Sequence, residues 1–294
     1  MSTGMDPRDW TRRQMLAAGC AAVGAMAIGG AASAAVRATD EKSGADEPFK
    51  LGLQSYSLRG YRTAGHADTA RALKVSGELG IHYWEAYPEH IPLTHNPQQI
   101  EERQRQLKEA GVTLMGYGVV PMSKNAEANR KYFEFARAMG LKYLSISPDP
   151  DAFDVLDRQV EEYGIPLGIH NHGPGDRFAR IETIEKAIKD HNPKIGCCVD
   201  TGHFLRSRED PVHAVEVFGP RVYGVHLKDV KDAKTFTVLG KGDLRTVDLL
   251  KALAKNRYEY CLAIEYEENP EAPEADIRAC ITEVHRAIAA ACKG

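Results

Sequence analysis

The sequence contains no block of basic residues and no stripe in which basic and aromatic residues alternate. Its formal net charge is −3, with 38 lysines and arginines against 41 aspartates and glutamates. Because surfaces that bind nucleic acids are strongly basic, these features argue against a nucleic acid as the main partner. No GxGxxG sequence follows the first predicted strand, so the chain lacks the fingerprint of a dinucleotide-dependent dehydrogenase.

The six cysteines form no CxxC pair, which argues against a thiol-based metal or redox motif. Cys197, Cys198 and Cys261 lie within apolar, strand-like runs, and we predict that they are buried small hydrophobes and not part of a disulfide framework. Cys20 lies in a segment that weakly resembles a lipoprotein box. The sequence leaves open whether Cys20 is lipidated.

The N-terminal segment lacks an apolar run long enough to span a membrane well. Arg12 and Arg13 precede a mild apolar stretch rich in Ala and Gly, and Ala32-Ser33-Ala34 then supplies the small residues of a cleavage site. This layout is typical of a twin-arginine export signal. We therefore predict a signal peptide over residues 1–34, a flexible linker over 35–48, a periplasmic location and no stable membrane span.

From Phe49 onward, short apolar runs alternate with amphipathic stretches of helical spacing. Glycines at positions 80, 111, 140 and 164 follow predicted helices, as C-terminal capping glycines do. The alternation predicts a single (β/α)₈ TIM barrel over residues 49–294. The predicted strands are residues 51–57, 82–87, 113–120, 143–147, 167–172, 195–200, 222–226 and 262–265.

Polar side chains stand at the carboxyl ends of several predicted strands, where barrels of this kind carry their active sites. Buried carboxylates that meet at one place repel each other, and a divalent cation removes that conflict. Mixed carboxylate and imidazole ligands suit Mn²⁺, Zn²⁺, Fe²⁺ or Co²⁺. The sequence therefore predicts a metal site at this end of the barrel. The strand-end residues are Glu85, His170, Asn171, His172, Asp200, His203, His226, Lys228 and Glu265.

Each of these residues also has a purely structural explanation. Asp200 before Thr201-Gly202 is a good helix N-cap, Asn171 suits a turn, and a lone histidine is more often a satisfied polar group than a ligand. The functional interpretation is favoured because four successive strands, the fifth to the eighth, end in this way. Gln54 and Tyr56 on the first strand are candidates to bind substrate, and barrel packing explains them equally well.

Three elements resemble the signature of the xylose isomerase-like barrels, the sugar phosphate isomerase/epimerase superfamily. They are Asp200-Thr201-Gly202-His203, His226-Leu227-Lys228-Asp229 and Glu265. The H-x-H element at His170–His172 and the segment Phe236–Leu244 are similar to those of inosose dehydratases and of hydratases or lyases that act on 3-keto-sugars. Members of the superfamily form dimers or tetramers, so the resemblance also suggests a homo-oligomer.

The resemblance implies that Asp200, His226 and Glu265 are ligands of a divalent cation (Mn, Zn, Co, Fe or Mg) and that His203 and Lys228 contact the substrate. Many family members supply a glutamate where this chain has His170. The fourth ligand is therefore His170, His172 or water.

The reaction implied is removal of a proton next to the carbonyl of a keto-sugar or cyclic polyol, with the metal stabilising the enediolate. Glu265 is the first candidate base, and Glu85 or His172 are alternatives; His203 or Lys228 would act as acid or oxyanion stabiliser.

Because a histidine replaces one glutamate, hydro-lyase chemistry is slightly favoured over isomerisation or epimerisation. Another alternative is a sugar-binding barrel without catalysis. The acidic balance argues against an endonuclease of the same superfamily. Residues 231–241 are predicted to form a loop over the mouth of the barrel.

Overall fold

A computed structural model describes residues 48–293 of the chain. The predicted signal peptide, and all of the predicted linker except its last residue, lie outside the described residues. None of the helices within residues 48–293 combines the length and the apolar character needed to cross a bilayer.

Eight parallel strands form a closed barrel in which each strand pairs with the next one along the chain and the last pairs with the first. The predicted TIM barrel is confirmed, with strand boundaries that differ from the predicted ones by a few residues. The strands are β1 (Lys50–Gln54), β2 (Tyr83–Ala86), β3 (Thr113–Met122), β4 (Tyr143–Pro148), β5 (Leu167–His170), β6 (Ile195–Asp200), β7 (Val222–Leu227) and β8 (Cys261–Ile264).

Helices cover the outside of the barrel, and their apolar faces pack on the strands. Gly140 and Gly164 end two of them with φ of 73°, a left-handed conformation that glycine adopts without strain. The helices are α1 (Thr69–Glu78), α2 (Pro97–Glu109), α3 (Ala126–Met139), α4 (Phe153–Tyr163), α5 (Ile181–Ile188), α6 (Thr201–Arg206), α7 (Pro211–Phe218), α8 (Thr246–Lys255) and α9 (Glu274–Lys293).

The side chain of Tyr143 fills part of the barrel interior and is fully buried. Two glycines, one in the neighbouring strand β3 and one in β7, make room for its ring. A Cβ atom added at Gly116 would lie 2.4 Å from Tyr143 Cζ, and one added at Gly224 would lie 2.9 Å from Tyr143 Cε2. Strand glycines often mark such close approaches. The barrel is therefore shaped to hold this tyrosine.

Two elements near the carboxyl ends of the strands differ from the sequence prediction. The short helix α6 begins directly after β6, in a segment that was not predicted to be helical. The predicted loop over residues 231–241 contains part of an antiparallel hairpin formed by Asp229–Lys231 and Thr235–Thr237. Cys197, Cys198 and Cys261 are free and buried, as predicted.

Candidate active site

Four side chains from neighbouring strands meet inside the carboxyl end of the barrel. His170 ends β5, Asp200 ends β6, His226 lies in β7 directly opposite Asp200, and Glu265 follows β8. One possible ligand atom from each lies within 4.8 Å of the others, and all four residues are buried. His170 Nε2 is 3.1 Å from His226 Nδ1 and 3.3 Å from Asp200 Oδ2. The structure thus brings the four predicted ligand residues together.

Asp200 divides its two carboxylate oxygens between a helix and this cluster. Oδ1 accepts a hydrogen bond of 2.8 Å from the backbone N–H of His203 and so caps α6. Oδ2 is buried and faces the cluster, 2.9 Å from Lys228 Nζ and 3.3 Å from His170 Nε2. The capping role and the ligand role considered from the sequence are therefore compatible in one side chain.

The amide of Asn171 holds the backbone of Asp200 and not the cavity. Its Nδ2 donates to Asp200 O at 2.9 Å, and its Oδ1 accepts from Asp200 N at 2.8 Å. Asn171 has no exposed surface, so its predicted contact with substrate remains a prediction that this geometry does not favour.

His226 lies between the cluster and Glu85. Its Nδ1 is 2.9 Å from Glu265 Oε2, and its Nε2 is 2.9 Å from Glu85 Oε1. Glu85 has no exposed surface and also contacts Gln54 and Tyr143. It therefore lies on the far side of His226 from the cluster. The catalytic role that the sequence offered for Glu85 remains a prediction, and Glu85 is not among the residues that line the cavity described below.

Lys228 is buried among three carboxylates. Its Nζ lies 2.9 Å from Asp200 Oδ2, 3.0 Å from Glu265 Oε2, and in close contact with Glu267 Oε1. Burial opposes the charge of Lys228, but Asp200 and Glu265 raise its pKa above the usual value. Burial likewise opposes ionisation of Glu265, while Lys228 and His226 hold its pKa below the usual value.

Glu267 was not singled out from the sequence, although a signal for it was present. Alternate residues of an extended chain share one side, and Glu267 stands two residues after Glu265. Its side chain is 23% exposed and lines the cavity beside Lys228. The site therefore contains one more carboxylate than was predicted.

The chemistry of the cluster fits a divalent cation. Asp200 Oδ2 and Glu265 Oε2 are buried carboxylate oxygens that share one lysine, at 2.9 and 3.0 Å from Lys228 Nζ, and such a meeting of buried anions is costly unless more positive charge is present. The buried and half-buried carboxylates around Lys228 and His226 are Glu85, Asp200, Glu265 and Glu267. Burial opposes the charge of His226, but the carboxylates of Glu85 and Glu265 raise its pKa above the usual value. Lys228 and a protonated His226 together offset only two of the four carboxylates, and a divalent ion would reduce the remaining negative charge.

A cavity of about 330 Å³ opens beside the cluster. Six of the residues that were predicted to bind substrate or act in catalysis line this cavity: Gln54, Tyr56, His172, His203, Lys228 and Glu265. The rings of His172 and His203 lie 5.4 Å apart, and burial lowers the pKa of both imidazoles. The remaining lining residues are Tyr87, Gly118, Val119, His170, His226 and Glu267.

The hairpin that follows β7 covers one edge of this cavity. The ring of Phe236 lies 5.7 Å from the ring of His203, and Lys228 Nζ lies 5.6 Å from the centre of the Phe236 ring. Asp229 anchors the end of the hairpin segment, because its buried carboxylate accepts backbone N–H groups from Gly240, Gly242 and Leu244. The part of the predicted loop that carries Phe236 therefore contacts the site.

A comparison with models of protein families identifies the family of this barrel. The model of the Xylose isomerase-like TIM barrel family matches residues 73–283. The chain belongs to this family. The resemblance seen in the sequence is thereby confirmed, and the match spans β2 to β8 together with the cluster described above.

Individual relatives and solved structures show how far the likeness extends. The chain is 24% identical to the inosose dehydratase of Mesomycoplasma hyopneumoniae, over 58% of this chain and 72% of that protein. It superposes on an L-ribulose 3-epimerase with a TM-score of 0.64 at 13% identity, covering 83% of this chain and 95% of the other. It superposes on the 3-keto-D-glucoside 4-epimerase of E. coli with a TM-score of 0.62 at 15% identity, covering 81% of this chain and 99% of the other. These two structures share the barrel fold.

Proposed function

We propose that this protein is a divalent-metal-dependent enzyme that removes a proton next to the carbonyl of a keto-sugar or cyclic polyol, with elimination or addition of water as the net reaction. The observation that carries the proposal is the meeting of ligand atoms from His170, Asp200, His226 and Glu265 within 4.8 Å. Three of these residues also line the cavity. A site that joins such a cluster to a polar cavity is suited to reactions that need charge stabilisation.

His170, Asp200, His226 and Glu265 would hold the cation. Two imidazoles and two carboxylates suit Mn²⁺, Zn²⁺, Co²⁺ or Fe²⁺, and Mg²⁺ is a further candidate. When bound, the cation supplies Lewis acidity, which polarises a carbonyl and stabilises the negative charge that develops on its oxygen.

The walls of the cavity suit a small polyhydroxylated molecule. A volume of about 330 Å³ is at the small end of ligand sites and accommodates a molecule of monosaccharide size. Tyr56, His172, His203 and Glu267 offer both donors and acceptors to hydroxyl groups. Substrate recognition by hydrogen bonds to several hydroxyls follows from this lining.

The chain provides groups for each proton transfer. We assign removal of the proton to Glu265, with His172 as the alternative base, because both line the cavity. His203 or Lys228 donates a proton to the leaving hydroxyl, which departs as water as the carbon–oxygen bond breaks. The ammonium of Lys228 also stabilises negative charge on the reacting molecule.

Dehydration is favoured over epimerisation for two reasons. The chain carries His170 where the resemblance led us to expect a glutamate in many epimerases, and its relative in Mesomycoplasma hyopneumoniae is named inosose dehydratase. The second candidate is a sugar isomerase or epimerase. It is supported by the presence of proton-transfer groups from different strands, Glu265 and His172, around one cavity. A sugar-binding barrel without catalysis is the third.

The test uses the purified full chain with Mn²⁺ and two probes, inosose and a 3-keto-glucoside, followed by mass spectrometry and proton NMR in deuterated water. A change of 18 Da supports dehydration or hydration. Stereocentre inversion with deuterium uptake, and no mass change of 18 Da, supports the epimerase. A chain that binds a probe and no stoichiometric metal, without turnover, supports the binding protein.

We also propose that residues 1–34 direct export through the twin-arginine route and that the enzyme works in the periplasm. The support is the sequence alone: Arg12 and Arg13, the apolar stretch and the small residues at 32–34. A variant with Arg12→Lys and Arg13→Lys is expected to stay in the cytoplasm on cell fractionation. An unchanged distribution between compartments would remove this proposal and leave the catalytic one intact.

A further inference from the structure

Glu85 lies at the end of β2, and both of its carboxylate oxygens are engaged. Oε1 accepts a hydrogen bond of 3.0 Å from Gln54 Nε2 and lies 2.9 Å from His226 Nε2. Oε2 accepts a hydrogen bond of 2.6 Å from the hydroxyl of Tyr143. Glu85 has no exposed surface, so it meets neither water nor a substrate in the cavity.

The two donors that hold Glu85 are themselves held in place. Gln54 Oε1 accepts from the backbone N–H of Tyr56 at 3.2 Å, which leaves Gln54 Nε2 to face Glu85. The ring of Tyr143 occupies the space left by Gly116 and Gly224. Glu85 therefore sits in a fixed orientation before any ligand binds, and the two donors that fix it come from β1 and β4.

This arrangement fixes which side of His226 faces the cluster. A carboxylate that accepts from Gln54 and Tyr143 also accepts from His226 Nε2, so the Nε2 proton is held on the side of Glu85. Nδ1 faces the cluster, 2.9 Å from Glu265 Oε2 and 3.1 Å from His170 Nε2, where a cation held by the carboxylates would take the place of its proton. Ligand histidines in metal sites are commonly oriented by such a partner.

Cys198 also lies near Glu85 and His226, and the three residues could form a separate metal site. The hydrogen bonds argue against it. Both oxygens of Glu85 already accept hydrogen bonds from neutral side chains, so neither is left for a metal ion. On the Nδ1 side of His226, by contrast, the carboxylates of Asp200 and Glu265 converge on one lysine, at 2.9 and 3.0 Å.

We propose that Glu85 is a positioning residue: together with Gln54 and Tyr143 it fixes His226 with its proton on Nε2, so that Nδ1 is presented to the cation. This inference rests on the metal site of the proposed function. It replaces the catalytic role expected for Glu85 from the sequence.

The experiment measures Zn²⁺ affinity of the metal-depleted full chain by competition with a chelating dye. Glu85→Gln, which has nearly the same shape, is expected to bind Zn²⁺ about 10–100-fold more weakly, as is usual when such a partner is altered. Tyr143→Phe is expected to weaken binding in the same direction by a smaller factor. Tyr117→Phe, which removes another buried tyrosine hydroxyl in the barrel, is the matched control and is expected to bind as the unmodified chain does.

Histidine nitrogen NMR of the Zn²⁺-loaded chain gives a readout that a purely structural role does not move. His226 is expected to show its proton on Nε2 in the unmodified chain and a weaker or exchanging Nε2–H signal in Glu85→Gln. Unchanged Zn²⁺ affinity in Glu85→Gln, or a His226 that binds Zn²⁺ through Nε2, overturns the positioning role alone. An unmodified chain that binds no Zn²⁺ or Mn²⁺ overturns both this inference and the proposed function.

Discussion

Asp200 accepts the backbone N–H of His203 through Oδ1, at 2.8 Å, and this bond leaves its Oδ2 for the metal cluster. One side chain thus starts α6 and supplies a ligand. The same contact joins the short helix that carries His203 to the strand that carries Asp200. The position of His203 in the cavity therefore depends on the residue that would hold the cation.

The two tasks of Asp200 can be separated by substitution. Asp200→Asn keeps a side-chain oxygen for the cap and loses the anionic ligand. Mn²⁺ affinity is therefore expected to fall by about 100-fold or more, because residues that only orient a metal ligand already change the affinity by about 10–100-fold. Asp200→Ala loses the cap as well, and its unfolding free energy is expected to be lower than that of Asp200→Asn by about 1 kcal/mol. Urea unfolding of the metal-free chains and Mn²⁺ titration measure the two effects.

Equal stability of the alanine and asparagine variants would show that the bond to His203 N does not stabilise α6. Wild-type Mn²⁺ affinity in Asp200→Asn would remove Asp200 from the ligand set. The second outcome would also contradict the metal site on which the proposed function depends.

The fold could be predicted from the sequence because its signals are local. Apolar runs, capping glycines and strand-end polar residues recur along the chain, and the closed barrel follows from eight such units. Asp200, His226 and Glu265 could be placed at one end of the barrel for the same reason. Parallel strands carry their carboxyl ends to one side.

The surroundings of the cluster could not be predicted in this way, because they depend on contacts between distant residues. Glu85 contacts His226, which lies 141 residues further along the chain. No local pattern in the sequence shows that Tyr143 contacts Glu85 through the barrel interior. Phe236 lies on a hairpin whose strands are three residues long, too short for a clear alternating pattern. Such contacts follow from the packed barrel and not from the order of residues.

Lys228 stabilises the carboxylates of the site when no cation is present. Lys228→Met leaves Asp200, Glu265 and Glu267 without this ammonium group, so the metal-free chain is expected to lose about 3–5 kcal/mol of unfolding free energy. Saturating Mn²⁺ is expected to restore part of that loss, because the cation offsets the same negative charge. Urea unfolding with a chelator and with Mn²⁺ measures both values.

Lys74→Met is the control for this prediction. Lys74 is exposed and lies 3.8 Å from Glu78 one helical turn away, so its loss is expected to change stability by less than about 0.5 kcal/mol, with or without Mn²⁺. The prediction for Lys228 is wrong when Lys228→Met matches the unmodified chain in chelator. It is also wrong when Mn²⁺ stabilises both chains equally.

Phe236 is expected to affect turnover more than stability. Its ring packs on His203 and Lys228 from a half-buried position on the hairpin. Phe236→Ala removes the contact that restrains both side chains, and kcat/KM is expected to fall by about 10–100-fold, because small displacements of catalytic groups have effects of this size. The loss of unfolding free energy is expected to stay below about 2 kcal/mol, since the ring is only partly buried.

The exposed neighbour Thr235 on the same hairpin strand provides the control. Thr235→Ala changes the hairpin without touching the ring contacts, and its kcat/KM is expected to equal that of the unmodified chain. Steady-state rates with the probe that shows turnover give the comparison. A Phe236→Ala chain with unchanged kcat/KM would show that His203 and Lys228 hold their positions without the ring.

His90 makes the stability of the barrel depend on pH at a place away from the cluster. Burial lowers the pKa of His90 to about 4, against 6.5 for the free side chain; nearby Glu89 and Asp68 act in the opposite direction, and Arg62 adds to the lowering. Its Nδ1 lies 2.9 Å from the hydroxyl of Ser55. Between pH 6.5 and 4 the unfolded chain therefore binds a proton that the folded chain does not.

Because the unfolded state takes up more protons in this window, the neutral His90 contributes fully to the unfolding free energy only above pH 6.5. The unfolding free energy is expected to fall by about 3 kcal/mol from this residue as the pH decreases toward 4. Urea unfolding of the metal-free chain at half-unit steps from pH 7.5 to 4 measures the slope. His90→Gln keeps a polar side chain without a titrating group and is expected to flatten the curve between pH 6.5 and 4.5, above the range in which carboxylates protonate. The prediction is wrong if the unfolding free energy changes with pH equally in His90→Gln and in the unmodified chain over that interval. His90 would then have the same pKa in the folded and the unfolded chain.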